Sequence, residues 1–68
     1  MTNVELLKER VKESGLKSAY IAERLGMSRS AWYNKLKGDS KFTTDEVKAL
    51  CYLLRINSLR EREDIFFS

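Results

Sequence analysis

Residues 18–38 read Ser-Ala-Tyr-Ile-Ala-Glu-Arg-Leu-Gly-Met-Ser-Arg-Ser-Ala-Trp-Tyr-Asn-Lys-Leu-Lys-Gly, and this stretch decides the fold. Ile21, Ala22 and Leu25 recur at helical spacing, so the first part is a short helix with one apolar side. Gly26 breaks it, because glycine enters the left-handed conformation of a helix end without steric cost. Ser28 restarts the chain as an N-cap. At about 100° per residue, Trp32 and Leu36 lie about 40° apart and point inward together. Ser30, Tyr33, Asn34 and Lys37 occupy the opposite or flanking arc. The spacing therefore predicts a helix over about 18–25, a tight turn, and a helix over about 29–37. The first cap is open by one residue: Ser18 is the better capping side chain, but Ile21 is placed better if Lys17 takes that position.

Working outward, a helix is expected from about Asn3 to Ser14, with Val4, Leu7 and Val11 inward. Thr2 or Asn3 caps it, and Thr2 with Glu5 has capping-box spacing. Gly15 stands at its end, and Leu16 packs back on the last turn. After Gly38, Asp39–Phe42 form a loop whose inward anchor is Phe42. The next helix starts at Thr43 or Thr44, where Thr43 and Glu46 make a capping box and Asp45 suits the positive end of the dipole. Val47, Leu50, Cys51 and Leu54 form its core stripe. Ala49–Leu54 is apolar throughout, so a second face must be covered by the last helix, a partner subunit, or both. That last helix covers about 59–66, with Ser58 and Glu61 as a third capping box. Ile65, Phe66 and Phe67 dock either on the domain or on a second chain, and Tyr52 is the other candidate subunit contact. There is no proline, no sustained alternation and no hairpin turn. The expected fold is all-α: one domain over 1–68, a compact bundle of five short helices.

At 68 residues the chain buries only about 60% of its unfolded surface, so a dimer interface would help it. No apolar run approaches the ~18 residues that span a membrane, and the N-terminus lacks a signal-peptide profile. A single cysteine forms no internal disulfide, which fits a reducing cytoplasm. Without histidine there is neither a histidine-based triad nor a histidine metal site, and Cys51 lacks its usual base. No enzyme, metal or cofactor is expected.

The formal net charge of +3 is unevenly placed. Residues 1–16 set Lys8, Arg10 and Lys12 against Glu5, Glu9 and Glu13. Residues 17–41 set Lys17, Arg24, Arg29, Lys35, Lys37 and Lys41 against Glu23 and Asp39, a surplus of four. The rest is slightly acidic. The positive excess thus lies in the two-helix motif and its following loop, which points to a polyanionic partner. Ala22 where the helices cross, Gly26 in the turn and Ser28 at the cap are what a helix-turn-helix requires, and such a motif sets its second helix in the DNA major groove. Arg29 can pair with guanine O6 and N7, and Asn34 with adenine N6 and N7. Tyr33 can touch a thymine methyl or a phosphate. The amides opening the first motif helix and the Ser18 hydroxyl can meet phosphate, as can Lys17, Lys37 and Lys41.

The span Ile21-Ala22-Glu23-Arg24-Leu25-Gly26-Met27-Ser28-Arg29 resembles the phage Cro and repressor helix-turn-helix family. Asn34-Lys35-Leu36-Lys37-Gly38, the step from Phe42-Thr43 to Glu46 and the ending Ile65-Phe66-Phe67 look like its small prophage members. The resemblance covers nearly the whole chain. It implies a five-helix domain that binds double-stranded operator DNA as a symmetric homodimer in the cytoplasm of a bacterial host. Carried across, it places Ser28, Arg29, Ser30 and Asn34 against base edges and Lys41 along the backbone. Lys17 departs from the family's Thr or Ser cap, and Lys35 stands where many members have an apolar residue. The expected function is transcriptional regulation by occluding the operator. The alternative is a protein-interaction module that binds a partner repressor, with DNA secondary. A third reading makes the chain the DNA-binding part of a longer repressor, although Met1 and the Ile-Phe-Phe-Ser ending suggest a complete small protein.

Overall fold

Three helix ends in this chain are built alike. After Leu25, Gly26 takes φ 71°, and its N–H and that of Met27 return to the carbonyls of Glu23 and Ala22. After Lys37, Gly38 takes φ 92°, with Asp39 N–H on the Asn34 carbonyl at 2.9 Å. After Leu54, Arg55 does the same at φ 57° and Ile56 N–H closes on Cys51. These are Schellman ends, which satisfy the last carbonyls and turn the chain sharply. A Cβ at Gly38 would stand 3.3 Å from Val4 Cγ1, a tight contact that the valine would have to ease by a few tenths of an ångström.

In a computed structural model describing residues 2–67, the helices are α1 Val4–Ser14, α2 Ser18–Leu25, α3 Arg29–Lys37, α4 Thr44–Leu54 and α5 Leu59–Phe66. No strand occurs among the described residues. The five-helix, all-α expectation therefore stands. Asn3 rather than Thr2 caps α1, accepting from Leu6 N–H. Lys17, not Ser18, is the N-cap of α2, without a side-chain capping bond. Thr43 and Glu46 form the reciprocal box that opens α4. The third box is half made: Ser58 accepts from Glu61 N–H, but the Glu61 carboxylate turns towards Arg10, 3.6 Å away.

The core collects Leu7 from α1, Ile21 and Ala22 from α2, Trp32 from α3, and Val47, Leu50, Cys51 and Leu54 from α4. Ile56 and α5's Ile65 and Phe66 complete it. Phe42 stands between Trp32 and Phe66, edge-on to both, with centroids 6.2 and 5.8 Å away, a favoured arrangement for aromatic pairs. α4 packs on α1 and α2, which absorbs most of its apolar run; only Tyr52 of that run is left exposed.

The C-terminal contacts expected for a partner need correction. Ile65 and Phe66 are 1% and 4% exposed and belong to this chain's own core, because α5 lays them against α1 and Phe42. They are not available to a second chain. Phe67 and Tyr52 remain exposed, and so does Leu59, which helical spacing had set on the side of Phe66 and Ile65.

Candidate nucleic-acid interface

α3 is held from behind and open in front. Trp32 is fully buried and Leu36 half-buried against the core. Arg29, Ser30, Tyr33, Asn34 and Lys37 are all exposed. Their helical order is Arg29, Tyr33, Lys37, Ser30, Asn34, one unbroken arc of about 140°. No apolar aliphatic residue interrupts it. Long and short hydrogen-bonding side chains thus share one surface on a helix whose opposite side is fixed by a buried indole.

Ser28 stands at the leading end of that arc. Its hydroxyl accepts from Ala31 N–H at 3.1 Å as the N-cap of α3. A hydroxyl keeps a donor after accepting one bond, so Ser28 can cap and still donate outward. Asn34 uses its carbonyl to close the Schellman end, and its side-chain amide makes no hydrogen bond among the described residues.

The candidate phosphate ligands surround this arc unequally. Lys17 is exposed at the start of α2, and Ser18 is half-buried beside it. With no side-chain cap, the first amides of α2 keep open N–H groups at the positive end of a helix dipole. α1, α3, α4 and α5 each have a side-chain cap. Lys37 lies 3.6 Å from Asp39 Oδ2 on an exposed surface, a weak pair. Lys41 is exposed, and its ammonium has no ion-pair partner among the described residues.

Two functional-looking side chains escaped the sequence. Lys35 points back rather than out: its Nζ lies 3.1 Å from Glu46 Oε1 and donates to the Lys41 carbonyl at 2.7 Å. Burial acts most strongly on the Glu46 carboxyl and raises its pKa. The Thr43 N–H, the Lys35 ammonium and the Thr43 hydroxyl together outweigh it, leaving the carboxyl below its ordinary range. Arg10 on α1 donates from Nη2 to the Leu54 carbonyl at 2.8 Å and pairs with Glu13 at 3.3 Å. It thereby ties α1 to the end of α4. The faint signals were a lysine at an apolar family position and an arginine on a helix otherwise read as scaffold.

Two helices joined by a left-handed glycine turn, the second buried behind and polar in front, define a helix-turn-helix fold. The family model described as a helix-turn-helix domain matches residues 4–65, and the chain belongs to that family. Membership points to a DNA-binding regulator. In comparisons with curated proteins and with solved structures, nothing matches this chain. No helix among the described residues is long and apolar enough to cross a membrane.

Proposed function

We propose that the chain is a sequence-specific regulator of transcription, of the kind found in Cro and repressor proteins, which occupies operator DNA through α3 and occludes it. The observation that carries this is the unbroken polar arc of α3. A helix made only for packing has no need of five adjacent exposed positions containing an arginine, an asparagine, a serine, a tyrosine and a lysine. In this assignment Arg29 and Asn34 read base edges by paired hydrogen bonds, with Ser28, Ser30 and Tyr33 beside them. Lys17, Ser18, Lys37, Lys41 and the open amides of α2 hold phosphates and set the register.

In this reading the chain binds as a homodimer, a mode that its dimensions allow. The Cα envelope measures 28 × 23 × 20 Å, so two adjacent copies place their α3 helices within reach of sites about 34 Å apart, one turn of B-DNA. Tyr52 and Phe67 are the exposed apolar groups assigned to that contact, with Leu59 added.

Selection from random DNA, with the mass of the protein measured alongside, tests this. A palindrome with one-turn spacing is expected. Asn34→Ala then weakens the selected site by about 1–3 kcal/mol and leaves non-specific DNA nearly unchanged. Equal loss on both removes Asn34 from base reading. Tight DNA binding only after a partner protein is added would favour the interaction-module alternative.

A further inference from the structure

We propose that Lys35 is a positioning residue of this DNA-facing surface: it fastens the loop after α3 to α3 itself and so sets where Lys41 stands. This deepens the function assigned above and rests on it. Lys35 is two residues from Lys37 on the same helix, yet its side chain is 16% exposed against 60% for Lys37. An ammonium has three donors. One is given to the backbone carbonyl of Lys41 and one faces Glu46 Oε1, while the Phe42 ring centroid lies 5.8 Å from Nζ.

These contacts fall on consecutive parts of one segment. The carbonyl that Lys35 holds belongs to Lys41. The next residue, Phe42, is wedged between Trp32 and Phe66. Thr43 N–H donates to the same Glu46 Oε1 at 2.9 Å. Positions 41, 42 and 43 are therefore fixed in turn, and only the Lys41 side chain among them is turned out without a partner. An apolar residue at position 35 would fill the space but could not hold the carbonyl. Glu46 offsets the Lys35 charge, so Lys35 itself adds little to phosphate attraction.

The full chain is measured on its selected DNA duplex at several salt concentrations. Lys35→Met keeps the aliphatic stem and removes the donor. It is expected to lower the salt slope by about one unit, as Lys41→Ala does. Added to Lys41→Ala, it is expected to leave the slope where it was and change affinity by less than about twofold. Backbone ¹⁵N order parameters at 41–43 are expected to fall in Lys35→Met while those of α3 hold. A wild-type slope in Lys35→Met overturns the proposal. So does a further unit lost in the Lys41→Ala background, which would make Lys35 a direct phosphate ligand. If the wild-type chain binds no DNA, the DNA function fails, and the order parameters alone decide whether Lys35 fastens the loop. Should Lys35→Met not fold, Lys35→Leu, which also removes the donor to the Lys41 carbonyl, carries the same comparison.

Discussion

At the scale of single residues, the interior divides into groups that are satisfied and groups that are sealed. Trp32 Nε1 and Arg10 Nε are buried without a hydrogen-bond partner among the described residues. Cys51 is sealed in another sense: burial pushes its thiol pKa up from the ordinary 9.0, with Arg62 pulling it down and Glu61 adding to the rise. A thiol that gives up its proton later in the folded chain adds stability below the unfolded pKa and loses it as pH rises through the folded one. Cys51 is therefore expected to resist a thiol reagent at neutral pH in the folded protein and to react at once in denaturant. The melting temperature of wild type is expected to fall more steeply above pH 9.0 than that of Cys51→Ala. Rapid native labelling would contradict this burial. The roles of Lys35 and Arg10 were hidden in the sequence for a physical reason. Their partners are backbone carbonyls, and a carbonyl is present at every position, so no residue type marks it. Arg10 reaches one 44 residues away.

At the scale of helices, most of the fold was legible. Caps and apolar spacing are local rules, and they placed α1 to α5 within a residue or so of their ends. Gly26 and Gly38 announced two of the sharp turns. The end of α4 gave no such sign, because an arginine occupies the left-handed position there. A side chain in that conformation costs roughly 1–2 kcal/mol over glycine, part of it recovered through the stiffer unfolded chain. Arg55→Gly is therefore expected to stabilise the fold by about 0.5–1 kcal/mol in urea denaturation, with an unchanged slope. Destabilisation instead would mean that the guanidinium contributes something beyond its backbone. The polar arc of α3 was also legible, since Trp32 fixes which side faces in. The direction of Lys35 was not, because α3 alone does not say where the next loop returns.

At the scale of the whole molecule, the last helix decides whether there is a core. Phe66 and Ile65 looked like an interface because two aromatic residues follow each other near the chain's end. Helical geometry separates that pair: Phe66 goes in and Phe67 stays out. Phe66→Ala removes an edge-to-face partner of Phe42 and a buried side chain, at a cost of about 3–5 kcal/mol. At roughly 0.05–0.15 kcal/mol per residue, a chain of 68 residues holds about 3–10 kcal/mol in all, so this loss takes a large share of it. Thermal unfolding followed by circular dichroism is expected to show most of the cooperative transition gone. Phe67→Ala should melt close to wild type, and a shared large loss in both would refute the division between them.

Asn3 N–H donates to the Ile65 carbonyl, so the first turn of α1 rests on the last turn of α5. This closure imposes an order in time. On the ribosome, α1 must wait, without its neighbour, until α5 has emerged. Until Ile65 and Phe66 clear the exit, α3 has no finished support and its polar arc has no fixed direction. The α3 surface is therefore presented only once α5 is in place, and all at once rather than by degrees.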